Sequence, residues 1–486
     1  MNLIEDPWVP VLRDGRLVHV ELAEILCRDE PWSLSLTRDD MEFAALQLLV
    51  CLTQAIYTPD DEKELKELGS KPLDEKTFEE RASPYLDWFS LDHEKTPFMQ
   101  VRGVKASKPT PIQKLFVGLP EGNNHALFNR AGEVDAACSS CTAIALFNQA
   151  VNCPSFGGGF KEGLRGGSPI TTLIRGEGLR ETIWKNVLDR QGAREVGLKV
   201  EEKAKPNWVE VIQPGQKIAA SGIDLITGLF WQSAHVELLS PDDCDRVCPI
   251  CGRECSLEYA GFNKEKFSKF EIVGHWPHPH SPRRWEKGKD NERTLSFNRS
   301  APTWTQLNEL ILHKEEEKRG QIPAAVVTRF REIHPGEPCH LAVGGYSNKQ
   351  AAVIDRRHET ISLAEGWDSN LDGIGMLVEV GVEIKNALRS KVYGFGKETG
   401  VEGLSKVAER RYYERTEHLI HRVLRNMDFS QLKKTREELT RDLGEISRKV
   451  FAEVVKPYIH SPKGAKTLAI STRTLNAALA KIKKGA

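Results

Sequence analysis

Between Ile374 and Ile482, apolar residues recur at helical spacing in four successive stripes parted by short breakers. The first runs through Ile374, Leu377, Gly381, Ile384, Leu388, Val392 and Phe395. The second takes Leu404, Val407, Arg411, Arg415, Leu419 and Val423, with its two arginines interrupting the apolar run. Leu432, Leu439, Leu443, Ile446, Val450 and Val454 make the third, and Leu468, Leu475, Leu479 and Ile482 the fourth. The segments Gly400–Gly403, Asp428 and Pro457–Pro462 lie between them. An apolar stripe must be buried against something, and four helices on short connections can bury theirs in one another. Residues 366–486 are therefore expected to form an antiparallel four-helix bundle.

At 486 residues the chain exceeds one ordinary core, so residues 1–365 are expected to be a separate body. Strand-like and helical patterns mix there, which makes the whole α+β. Asp14-Gly15 interrupts the alternating run WVPVLRDGRLVHVEL as a hairpin turn. Thr37 or Asp39 is placed to cap a helix through MEFAALQLLVCLTQAIY, whose apolar side continues for several turns. Residues 59–80 are charged and read as an exposed helical excursion. Thr142–Ala150 reads as a helix, Gly157–Gly167 as a glycine-rich loop, and Gly344-Gly345 opens an excursion carrying SNKQ.

The overall charge of −1 conceals an asymmetry. Residues 366–486 hold 23 Lys and Arg against 15 Asp and Glu, or +8, leaving −9 on the remainder. A basic region on an acidic body fits a polyanion contact confined to that region, or a solvated helical surface. No run of apolar residues is long enough for a membrane span, and MNLIEDPWVPVL lacks a signal peptide's pattern. A cytoplasmic location is expected, where ten cysteines read as metal ligands or buried thiols before disulfides.

Cys138 and Cys141 form one C-x-x-C, and Cys248 and Cys251 a second in RVCPICGREC. Two such pairs can supply a closed tetrahedral four-thiolate site for a structural zinc, which staples chain segments and activates no water. Unrelated pairs, or substitution by Cys244 or Cys255, are the alternatives. The loop GGGFKEG lacks the Gly-Lys-Ser/Thr of a phosphate-binding loop. Two readings of it remain: backbone packing at positive φ, or close approach to a narrow groove, flanked by Lys161 and Arg165. His275, His278 and His280 in HWPHPHSP fit either a turn or the ligand set of a hydrolytic metal, although no H-E-x-x-H accompanies them. Arg356-Arg357-His358 can meet phosphates or pair with acids.

The ordered blocks DPWVPV, RDDMEFAALQLLVC, PFMQVRGVKA, CTAIALFNQA, FGGGFKEGLRGG, GLFWQSAH, GFNKEKF, WPHPHSP, APTWTQ, GGYSNKQA and RRH resemble the CasA family. Its members are the large subunits of type I-E CRISPR Cascade surveillance complexes. The resemblance covers almost the whole chain. It implies a non-catalytic subunit that checks the protospacer-adjacent motif of duplex DNA while a guide RNA reads the sequence. By this resemblance Gly157, Gly158, Gly159 and Lys266 reach the minor groove, and Gln350 is the wedge that parts the strands. Asn129 and Phe128 belong to a loop that docks the subunit at the guide's 5′ end. The bundle contacts neighbouring subunits and DNA, and the body helps recruit a helicase-nuclease. Three departures stand out: Ser155 replaces the first glycine of a Gly-Phe-Gly-Gly-Gly loop, Lys349 replaces an asparagine beside the wedge, and Phe128 is one place removed, leaving Leu127 at the family's aromatic position. A zinc hydrolase and a bare scaffold are the competing functions.

Overall fold

The computed structural model describes residues 1–117, 129–130, 132–202, 204–266, 270–288, 292–298, 301–349 and 352–485. The fold is α+β, and the chain divides into two compact units. The first gathers Met1–Phe297, His313–Ile333 and Leu341–Glu359; the second gathers Asn298–Leu312, His334–His340 and Thr360–Ala486.

The first unit is built around the helix Asp39–Ile56, in which every residue from Ala44 to Ile56 is buried. A one-sided stripe was the expectation; a helix buried all round is a core helix. Its polar residues remain inside because each finds a partner. Asn152 donates to Gln47 at 2.9 Å, Gln54 donates to the Leu188 carbonyl at 2.9 Å, and Thr53 donates to the Leu49 carbonyl at 2.9 Å. Arg38 holds the cap position without a side-chain cap bond, so neither Thr37 nor Asp39 caps this helix. The Thr37 hydroxyl donates instead to the Ile250 carbonyl at 2.6 Å.

Short sheets surround this helix and the helix Ser139–Val151 packed against it. The first hairpin pairs Val9–Arg13 with Arg16–Val20 across Asp14 and Gly15, at φ 50° and 73°. Two consecutive positive φ angles match the twist of the strands they join. Ala137–Cys138, Glu254–Tyr259 and Asp242–Val247 form one three-stranded sheet. After a single intervening residue, Gly261–Lys266 enters another, between Thr110–Pro111 and Ala234–Leu238. Thr171–Arg175 is the third strand of the sheet made by the long hairpin Cys339–Lys349 and Ala352–Leu363.

In the second unit the helices Leu371–Thr399, Leu404–Arg425, Leu432–Val455 and Pro462–Lys484 form the bundle. All seven positions of the first stripe are buried. The second stripe lies one residue from its expected place, because Leu404, Ala408, Tyr412, Thr416, Ile420 and Leu424 face inward. Arg411 and Arg415 thereby stand at the helix edge, where they pair with Glu453 at 3.8 and 2.7 Å. In the last helix Thr467 and Ser471 are buried with Leu475 and Leu479, whereas Leu468 and Ile482 are only half-buried. Trp304, fully buried, lies against Gly381, where an added Cβ would fall 2.9 Å from the indole. Among the described residues no helix is long and apolar enough to cross a membrane.

Candidate metal centre and nucleic-acid interface

The two cysteine pairs converge although more than a hundred residues separate them. Cys138 ends the strand Ala137–Cys138, Cys141 lies in the first turn of the following helix, and Glu258 is registered opposite Cys138. Cys248 and Cys251 occupy the turn between the other two strands of that sheet. Gly252, at φ 73°, completes this turn by donating to the Cys248 carbonyl at 3.0 Å. The four sulfurs lie within 4.8 Å of one another and all four residues are buried. Cys138 and Cys251 approach to 3.7 Å between sulfurs. That is far beyond a disulfide of about 2.05 Å. It matches the edge, about 3.8 Å, of a tetrahedron whose centre lies about 2.3 Å from each thiolate. Hydrogen bonds from Cys138 and Cys141 draw the Cys248 and Cys251 thiols below their usual range, and the same contacts push Cys141 up. Cys244 and Cys255 face each other at 3.4 Å on neighbouring strands and form a separate pair.

From this cluster two arms run outward and meet again. One is the helix Ser139–Val151 followed by Gly157–Gly159; the other is Glu254–Tyr259 followed by Gly261–Lys266. Gly157, Gly158 and Gly159 have φ of 77°, 57° and 88°, so the loop needs glycine for its conformation alone. Gly158 and Gly159 are exposed, and a Cβ at Gly159 would lie 3.2 Å from Lys266 Nζ. The structure therefore brings the glycine loop and the distant lysine into one site. Beneath it Phe156 and Phe160 stack edge to face at 5.6 Å. Lys264 stands 5.8 and 5.7 Å from their ring centres, and Lys266 stands 5.9 Å from Phe160. Ser155 turns inward, its hydroxyl accepting from the Gly157 amide at 3.4 Å.

The flanking cations are occupied elsewhere. Lys161 donates to the Phe270 carbonyl and lies 4.0 Å over that ring. Arg165 is buried and donates to Ser281, Asn152, Thr171 and the Ile170 carbonyl at 2.6–3.2 Å. Arg356 pairs with Asp39 at 2.9 Å and Arg357 with Asp355 at 3.0 Å, and His358 meets the Asp39 carboxylate at 3.1 Å, so the motif is engaged with carboxylates of the fold. Asn129 is buried and donates to the Phe116 carbonyl at 2.9 Å. Leu127, Phe128 and Gln350 lie outside the described residues, and Lys349 is described only as the end of its strand.

The three histidines do not gather as ligands: no described group of metal-ligand atoms within 4.8 Å includes them. His278 accepts from the His280 amide at 3.0 Å, and His280 meets Gln47 at 3.3 Å. His278 and His280 are buried and His275 is half-buried. Desolvation lowers His275 to about 4 and His280 to about 3, and His278 falls well below its ordinary value, which favours the neutral rings.

A buried four-cysteine clasp in an α+β body, followed by a helical bundle, defines the class to which this chain is compared. Residues 2–450 match the family model of CRISPR-associated protein Cse1. The chain belongs to that family. CRISPR-associated protein CasA/Cse1 of Thermus thermophilus is 31% identical over 199 residues, which are 38% of this chain and 39% of the relative. The match thus spans about two-fifths of that relative's length. The solved CasA (Cse1) of Thermus thermophilus superposes with a TM-score of 0.74 at 19% identity, covering 98% of this chain and 99% of the other. Thermobifida fusca Cse1 gives 0.75 at 19% identity over 100% and 98%. A chain of a CRISPR RNA-guided surveillance complex gives 0.69 at 13% identity over 98% and 99%. These likenesses show a shared fold over the full chain.

Proposed function

We propose that this protein is the non-catalytic large subunit of a type I-E RNA-guided surveillance complex, and that it inspects the protospacer-adjacent motif of duplex DNA. The observation that carries this reading is the meeting of Lys266 with the bare backbone of Gly159. A minor groove about 6 Å wide admits backbone and a slender amine more easily than branched side chains. Edges in that groove distinguish mainly A·T from G·C, so such a reader accepts several related motifs. Gln350, in the link that joins the hairpin's two strands, enters as the wedge, occupying the space of a departing base while unstacking costs a few kcal/mol. Lys349 adds a phosphate contact beside it. Cys138, Cys141, Cys248 and Cys251 hold a structural zinc, and the metal's part is to fix the common base of the two arms. The loop containing Phe128 and Asn129 docks at the guide RNA and neighbouring subunits, with the buried Asn129 anchoring its base. The body recruits a helicase-nuclease, and the complex works in the cytoplasm.

The test is DNA binding by the assembled complex carrying Lys266→Ala or Gln350→Ala, on intact duplex and on duplex already parted beside the motif. Lys266→Ala is expected to weaken motif-dependent binding about tenfold or more, the scale of a lost base-edge contact. Gln350→Ala is expected to weaken binding to intact duplex and to leave parted duplex nearly unaffected. If neither substitution changes discrimination between motif and non-motif duplex, the protein is a scaffold and the reading fails.

A further inference from the structure

The glycine loop and the long hairpin are joined by more than their places in the first unit. The chain leaving the loop runs from Gly163 to Thr171 and is fastened along its length. Arg165 donates four hydrogen bonds, to Ser281, Asn152, the Ile170 carbonyl and Thr171. Its acceptors are all neutral oxygens, so the guanidinium is held by geometry with no ion pair among these four contacts. Thr171–Arg175 then pairs into the hairpin's own sheet.

Two further contacts tie this segment to the hairpin near its tip. Gly345, at φ 151°, presses its backbone against Pro169, where a Cβ would lie 2.5 Å from the carbonyl oxygen. Three residues further along the same strand, Asn348 accepts from the Ser168 hydroxyl and its amide points to the Gly167 carbonyl at 3.5 Å. Asn348 stands two residues before Gln350. A displacement of the glycine loop therefore has a short, hydrogen-bonded path to Asn348, next to the last residue of the strand Cys339–Lys349.

We propose that Ser168 and Asn348 form a clasp that couples seating of the glycine loop in duplex to placement of the hairpin tip. Strand parting then follows motif recognition and does not proceed on any duplex that the protein meets. The inference rests on the proposed motif-reading function and assigns two positioning residues within it. Neither residue need touch DNA. Coupling through such a contact is established by measured interdependence and not by proximity, so the test is a cycle.

The assembled complex is prepared with Ser168→Ala, Asn348→Ala and both together, and with Lys266→Ala alongside. Each is offered duplex with the motif, duplex without it, and motif duplex pre-opened at the adjacent base pairs. Initial binding is read by filter retention, and opening by the fluorescence of 2-aminopurine beside the motif. Asn348→Ala is expected to keep the motif preference of initial binding while slowing opening of intact duplex about tenfold, the scale of one net hydrogen-bond interaction. Pre-opened duplex should restore normal behaviour. The double variant should be no slower than either single one, because both remove the same clasp. Additive losses, an unchanged opening rate, or an equal loss on pre-opened duplex would each overturn the clasp. Loss of motif preference in none of the variants, Lys266→Ala included, would instead indict the motif-reading function. Assembly and melting temperature of each complex, compared with the parent, separate misfolding from uncoupling.

Discussion

Two parts of this chain carry clusters of cationic side chains, and they carry them differently. At the glycine loop, Lys264 and Lys266 leave one strand on one side and lie over Phe156 and Phe160. Lys264 also donates to Thr110 at 2.9 Å. Burial pulls Lys264 below its usual pKa, and burial with the nearby Lys264 charge brings Lys114 to about 8. The last bundle helix, Pro462–Lys484, holds six Lys and Arg and no Asp or Glu, and all six are exposed. Few charges in fixed places suit discrimination between sequences. A solvated row suits neutralising phosphates wherever they pass, which adds affinity without information. The contrast implies that specificity and strength are separable by mutation.

The largest effect is expected where the reading face is founded. Cys138→Ser should abolish tight zinc binding in the purified chain and lower the stability of the first unit by roughly 3 kcal/mol or more. Calorimetry with metal analysis checks this, and the bundle's helical signal should outlast the body's. Loss of both at the same temperature would erase the distinction between the two regions' foundations. Next in size comes Gly159→Ala. A residue with a Cβ at φ 88° pays about 1–2 kcal/mol in strain, and the new methyl would crowd Lys266 at 3.2 Å. Motif-dependent binding by the assembled complex should fall about tenfold, the equivalent of about 1.4 kcal/mol, with non-motif binding unchanged. A uniform fall on both duplexes would show that the loop contributes affinity only.

How much of this could be read in the chain depends on the range of the forces involved. The bundle was legible because burial on a helix repeats every three to four residues within one segment. Its second helix was misplaced by one position because Val407, Leu419 and Val423 adjoin Ala408, Ile420 and Leu424, so either set satisfies the spacing. What decides between them is packing from elsewhere: Tyr412 donates to the Gly381 carbonyl at 2.9 Å, and Tyr413 meets Trp304 at 6.1 Å. The cysteine pairs were visible as pairs, but their meeting depends on a strand ladder formed across more than a hundred residues. Lys161 and Arg165 looked available in sequence and are engaged with Phe270 and a buried polar network. Gln47 and Gln54 fill a core helix only because partners 105 and 134 positions away satisfy them. Local periodicity was readable; commitments made across the fold were not.

The smallest effect on recognition is expected at the far end of the charge. Lys481, Lys483 and Lys484 lie in the last turn of the final helix, all exposed, where cations also favour the helix dipole. Replacing all three by glutamine removes three charges and keeps long polar side chains of good helix propensity. If each neutralises one phosphate, the slope of log affinity against log salt should become shallower by about 2.7, because each contact contributes about 0.9. Affinity at low salt should fall equally for motif and non-motif duplexes, so their ratio stays constant across a salt titration of the complex. An unchanged slope would remove the last helix from the DNA path and leave its charge to a neighbouring subunit. A changed ratio would break the comparison itself, since a solvated row of lysines has no means of telling one base pair from another.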